Sequence, residues 1–177
     1  MPKLNIVGDA MTQAGDDFTW FIYASSLDRD AFAQWSAQHG YALPDFSTAV
    51  PARLSGFRLA FDIESRFWGG AVASLAEDPH GAVEGLALRL PGSARGLVEH
   101  KEGAASGLYL PIEVAVVPLR GGDALRTIAF RGNPERALPQ EGHPSRRFLE
   151  AMVQGAKSAG LSPSYLAALE QRLADAR

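Results

Sequence analysis

Tyr109-Leu110-Pro111-Ile112-Glu113-Val114-Ala115-Val116-Val117-Pro118-Leu119, followed by Gly121-Gly122 and then Ala124–Phe130, is the stretch that decides the fold. The first run is dominated by Val, Ile and Leu, with small or charged residues between them, and reads as the longest strand of the chain. The paired glycines supply a reversing turn, so the second run returns beside the first as an antiparallel partner. Upstream, Ala52–Asp62, Gly70–Leu75 and Val83–Leu90 show the partial alternation of half-buried strands. Asp78-Pro79-His80-Gly81 has the composition of a hairpin turn between the last two. Phe18-Thr19-Trp20-Phe21-Ile22-Tyr23 is short, aromatic and β-branched, and predicts a first, buried strand.

Helices surround these strands. Asp28 is placed to cap a helix that reaches His39 and stops at Gly40, with Phe32 and Trp35 on one face. Ser93 to Glu102 predicts a short helix with Ser93 as its N-cap and Gly103 just past its end. Pro144–Gly160 and Pro163–Ala174 predict two closing helices, parted by Gly160-Leu161-Ser162-Pro163. Strands fill the middle and helices the tail, which makes the class α+β with a mixed or antiparallel sheet able to close into a barrel.

Composition narrows the function. The 177 residues suit a single domain, with residues 1–17 as an extension that frays or adds an edge strand. Hydrophobic residues make up 46% and charged ones 21%, enough to bury a core unaided. Cysteine is absent, which excludes disulfides, thiolate nucleophiles and Cys-based zinc sites. The net charge of −3 and the scattered arginines argue against nucleic acid. With neither a signal-like run nor a membrane-length apolar stretch, the expected location is the cytoplasm, with no membrane partner.

The usual catalytic signatures are missing. His39, His80, His100 and His143 show no metal-ligand spacing, and no metal is expected. There is no G-x-S-x-G elbow to activate Ser25 or Ser26, and no glycine-rich phosphate cradle. Two features remain. Ala24-Ser25-Ser26-Leu27 is a small polar loop at a strand end, readable as a plain connection capped by Asp28 or as a set of backbone N–H groups aimed at an anion. Glu102 ends a short helix, where unpaired carbonyls disfavour a carboxylate and raise its pKa. It flanks the Leu97/Val98 stripe, whereas Glu99 points away from it. A solvated glutamate and a general acid–base are both compatible with that position.

The order of these motifs resembles the γ-glutamylcyclotransferases, a family of AIG2-like proteins. Tyr23-Ala24-Ser25-Ser26-Leu27 is similar to the family's Tyr-Gly-Ser-Asn-Leu loop, and Glu102-Gly103 with Gly107-Leu108-Tyr109 is similar to its catalytic-glutamate segment. Leu54–Phe61, Trp68-Gly69-Gly70-Ala71, Val83-Glu84-Gly85-Leu86, Pro144-Ser145, Gly155-Ala156-Lys157 and Gly160–Pro163 with Tyr165 and Leu169 follow in the family's order. The resemblance runs from about residue 18 to 173. It implies a small mixed β-barrel flanked by helices. It also implies a cofactor-free cyclisation of a γ-glutamyl amide to 5-oxoproline, releasing an amino acid or amine. Glu102 is then the general acid/base, and Tyr23, Ala24, Ser25, Ser26, Leu27 and Tyr109 the substrate-binding residues. The implied partner is a small γ-glutamyl compound; a homodimer is compatible with this. Two other readings keep the scaffold: removal of a γ-glutamyl group from a larger biosynthetic amine, and a non-catalytic small-molecule-binding or interaction module. Ala24 and Ser26 depart from the family's Gly and Asn, which changes the backbone freedom and the side-chain amide of the loop. Pro134–His143 has the composition of either a lid or a surface loop.

Overall fold

The computed structural model describes residues 15–176, so most of the proposed N-terminal extension lies outside the described residues. Strand β1 (Phe18–Ile22) is buried on both faces: Trp20, Phe21 and Ile22 are all at 0% exposure. Trp20 meets Phe32 of α1 (Arg29–Gln38), while Phe21 stacks with Tyr23 on the alternate side. β1 pairs antiparallel with β3 (Gly70–Leu90) and parallel with β5 (Leu125–Gly132) at Trp20–Ile128. With β2 (Val50–Ser65) and β4 (Tyr109–Pro118) between them, the order β1-β3-β2-β4-β5 closes a barrel. Closure removes exposed sheet edges, and the mixed sheet agrees with the fold expected from the sequence.

The upstream strands differ from expectation in one respect. β2 and β3 form one long hairpin turned at residues 66–69, and Asp78-Pro79-His80-Gly81 does not reverse the chain. Glu77 lies opposite Phe57 and Ala82 opposite Ser55, so residues 78–81 bulge out against Gly56 and β3 continues in its original direction. The Asp78 carboxylate accepts the His80 N–H at 3.0 Å, which satisfies the bulge locally. The same residues serve a turn or a bulge, and only the partner strand's register tells them apart. A second correction concerns α2 (Arg95–Lys101). Ser93 is not its N-cap but sits inside a 3₁₀ turn over Gly92–Ala94, closed by the Ala94 N–H on the Pro91 carbonyl.

Two helices lock the barrel. α3 (Arg146–Ala159), capped by Ser145, buries Phe148, Leu149, Met152, Val153 and Ala156. α4 (Pro163–Asp175) begins at Ser162, whose N–H and hydroxyl both donate to the buried Glu84 carboxylate at 2.8 Å. Arg53 adds a third contact at 2.8 Å, so this buried charge is satisfied on every side. The Pro134–His143 stretch is an edge cover and lines no part of the cavity described below. Leu138 and Gly142 donate to the carbonyls of Asp62 and Phe61, and Glu141 accepts the Phe61 N–H. Among the described residues no helix is long and apolar enough to cross a membrane.

Gly155 sets the distance between α3 and the chain that leaves β1. A Cβ there would fall 2.6 Å from the Leu27 Cβ and 2.7 Å from the Asp28 nitrogen. Gly155→Ala gains up to about 1 kcal/mol of helix propensity, but overpacking against backbone costs about 1–3 kcal/mol. The variant is expected to melt several degrees below the parent by calorimetry. An unchanged or higher midpoint would show that α3 does not press on this turn.

Candidate active site

The chain leaves β1 through Tyr23, which is extended, and then turns sharply. Ala24 adopts φ 62°, the one non-glycine residue with positive φ among those described. A 3₁₀ turn over Ala24–Leu27 follows, closed by the Asp28 N–H on the Ser25 carbonyl at 3.1 Å. Asp28 caps α1 by accepting from the N–H groups of Asp30 and Ala31. The turn therefore holds, with alanine in place of glycine, a conformation that costs a non-glycine residue roughly 1–2 kcal/mol.

Glu102 arrives from the other end of the barrel. It is the C-cap of α2, its N–H bonded to the Val98 carbonyl at 2.9 Å. Gly103 then takes φ 64° and Gly107 φ 67°, which bends the chain into β4 and sets Tyr109 in the same pocket as Glu102.

Tyr23, Ala24, Ser25, Ser26, Glu102 and Tyr109 line one cavity of about 220 Å³. Leu27 completes the turn with its side chain buried in the core at 2% exposure, so it is the backbone N–H, the group expected to serve there, that it could offer the site. The Tyr109 hydroxyl donates to the Ala73 carbonyl at 2.7 Å, and the Tyr23 hydroxyl donates to the Phe130 carbonyl. Burial pushes both phenols well above their ordinary value, so both stay protonated. With each proton committed to a carbonyl, the phenol oxygens are left as acceptors.

Glu102 is half-buried. Burial pushes its carboxyl from 4.5 up to about 7, while the Lys101 ammonium pulls the other way. Desolvation, rather than the helix terminus, is thus the main cause of the raised value. Glu99 does not line the cavity.

Sequence reading missed the opposite wall. Trp68 from the β2–β3 turn meets Phe148 of α3 with centroids 5.2 Å apart, and Ser65, Val72 and Ala73 complete the surface. Trp68 was visible only as part of a turn. Phe148 carries no local signal, because its role depends on where α3 docks. His100 and Lys101 also line the pocket, and adjacency to Glu102 was their one available clue.

Other clefts carry less chemistry. One of about 300 Å³ holds Asp17–Arg89 and Glu113–Arg126, which neutralise each other. One of about 610 Å³ beside Leu43 and Leu97 is largely apolar. Among the described residues no group of His, Cys, Asp or Glu is placed to hold a metal ion.

Comparison with known proteins agrees with this architecture. Residues 82–169 match the AIG2-like family. A Gamma-glutamylcyclotransferase from Bos taurus is 29% identical over 161 residues, covering 89% of this chain and 79% of that protein. A solved Gamma-glutamyl cyclotransferase superposes with a TM-score of 0.73 at 23% identity, over 88% of this chain and 87% of that one. YkqA from Bacillus subtilis superposes at 0.74 with 24% identity, over 90% of this chain and 55% of that one. At these identities the structures speak for the fold.

Two outcomes are expected from the site itself. A carboxyl whose folded pKa is raised contributes fully to stability below pH 4.5, and that contribution is lost as pH rises through about 7. Glu102→Gln cannot ionise, so its melting temperature should gain on wild type across this interval; parallel curves would contradict the raised value. Ala24→Gly relieves the positive φ but adds about 0.4–1 kcal/mol of unfolded-state entropy. A net gain of up to about 1 kcal/mol should raise the midpoint by about 2–4 °C. A lower midpoint would mean that the turn is unstrained.

Proposed function

The chain belongs to the γ-glutamylcyclotransferase-like (AIG2-like) family, and on that premise we propose that it cyclises a γ-glutamyl amide to 5-oxoproline with Glu102 as the proton carrier. One observation carries the reading: a carboxyl held near pKa 7 shares a small pocket with the Tyr23–Ser26 turn and the Tyr109 phenol. A group with that value is ionised often enough to take a proton at neutral pH and acidic enough to return it.

The substrate brings its own nucleophile. Its α-ammonium sits against Glu102 and the acceptor oxygens of Tyr23 and Tyr109, an electronegative floor suited to a cation. Glu102 removes a proton, and the freed amine attacks the γ-carbonyl carbon to form the ring C–N bond. Backbone N–H groups of the Ala24–Leu27 turn hold the substrate's α-carboxylate or the oxyanion. Glu102 then protonates the departing nitrogen, the original amide C–N bond breaks, and 5-oxoproline and the free amine result. In all, the α-nitrogen gives up two protons, and the departing nitrogen gains two if it leaves as an ammonium. The carboxyl carries them in turn. The Trp68–Phe148 wall confines the glutamyl chain so that amine meets carbonyl, an orientation effect that can equal or exceed the acid–base contribution.

Purified protein is expected to release 5-oxoproline from a γ-glutamyl amino acid or amine. Glu102→Gln should lower kcat by roughly 10²–10⁴-fold while substrate binding is largely kept. The wild-type kcat/KM should fall as pH drops below about 7. Binding without release of 5-oxoproline would favour a non-catalytic module, and a fully active Glu102→Gln would remove Glu102 from the mechanism.

A further inference from the structure

The turn between β2 and β3, residues 66–69, is largely open to solvent, yet it supplies Trp68 to the cavity wall. Its backbone ties are few. The Gly69 N–H donates to the Ser65 carbonyl at 2.9 Å, and the Trp68 N–H reaches the Ser65 hydroxyl at 3.3 Å. Arg66, Phe67 and Gly69 are exposed, Phe67 at 73%. A ring on so open a turn keeps its orientation only through side chains from elsewhere.

Those side chains are consecutive residues of α3. Phe148 meets the Trp68 ring with centroids 5.2 Å apart. The Arg147 guanidinium lies 5.0 Å from the Trp68 centroid and 4.9 Å from that of Phe67, and it donates to the Phe67 carbonyl. One planar cation therefore grips two rings and the backbone of the same turn. Among the described residues Arg147 joins no ion pair, so no carboxylate draws it away. It does not itself line the cavity.

We propose that Arg147 is a positioning residue for the cyclisation: it clamps the β2–β3 turn so that Trp68 stays on the cavity wall and keeps water from Glu102. The proposal rests on the cyclisation reading, in which that wall confines the glutamyl chain. A released Trp68 ring leaves the chain freer, so amine meets carbonyl less often. It also admits water, which weakens the desolvation that pushes the Glu102 carboxyl up to about 7. The ionisable groups sharing the cavity with Glu102 are Tyr23, His100, Lys101 and Tyr109, and substitution of Arg147 alters none of them.

The test follows release of 5-oxoproline from γ-glutamylalanine across pH. Arg147→Gln is expected to lower kcat/KM by about 10- to 100-fold, mainly through kcat, the scale of a ~1 Å misplacement. The acid limb of its profile should move down from about 7 towards 4.5. The sign is decisive, because loss of a nearby cation with the ring still in place moves a carboxyl's limb up. In a Trp68→Ala background, Arg147→Gln should have no further effect, since the two residues act as a unit. Arg147→Lys keeps the charge over the rings and should recover part of the rate. Acrylamide quenching of the fluorescence that Trp68→Ala removes should rise in Arg147→Gln. An unchanged or raised limb, equal losses with and without Trp68, or unchanged quenching would overturn the proposal. If wild type releases no 5-oxoproline, the cyclisation reading fails first and the clamp's catalytic role with it; a wild-type rate in Arg147→Gln rejects the clamp alone. An Arg147→Gln protein with a much lowered melting temperature would be replaced by Arg147→Met, read in the same way.

Discussion

The barrel depends on β1 being hydrogen-bonded on both sides. Its antiparallel pairing with β3 is extensive, but the parallel contact with β5 at Trp20–Ile128 is what closes the sheet. A strand in that position is dry on both faces, which accounts for three consecutive residues without exposed surface. Its end must therefore leave the barrel abruptly. The turn at Ala24 is that exit, shaped from outside by the glycine notch of α3 and from ahead by the Asp28 cap. Closure of the barrel and construction of the pocket are thus two consequences of one buried strand.

The electrostatics of the pocket follow from the same enclosure. Neighbouring residues of one short helix end, Lys101 and Glu102, are both partly withdrawn from solvent, and burial disfavours the charged form of each. Their pKa values move towards each other, the carboxyl up and the ammonium down. Each offsets part of the other's shift, so neither reaches the extreme that an isolated buried charge would show. Tyr23 and Tyr109 contribute differently. Their protons are committed to backbone carbonyls, so the oxygens take part as acceptors and not as acids. A floor of acceptors under one titrating carboxyl suits a cationic amine that must lose a proton.

Much of this was legible in the sequence because it is local. The aromatic run Phe18–Tyr23, the Asp28 cap and the Gly103 stop behind α2 are decided by residues a few positions apart. Where reading failed, the deciding partner was distant. Asp78–Gly81 is a bulge because its neighbours Glu77 and Ala82 pair with Phe57 and Ser55 on another strand. Ser93 lost its capping role to a 3₁₀ turn anchored at Pro91.

Glu102 marks the boundary most clearly. Chain-local reasoning could find it, because a carboxylate flanking an apolar stripe at a helix end is a pattern of neighbouring residues. It could also give the direction of the pKa shift, though from the helix terminus and not from the larger cause. Desolvation belongs to the assembled pocket, where Trp68, Phe148 and Tyr23 come from three separated parts of the chain. The sequence by itself therefore determined most of the elements, the Asp28 cap and the identity of the candidate titrating group. Only the tertiary structure decided which surfaces exclude water around it, because excluded volume is a property of packed elements and not of any one of them.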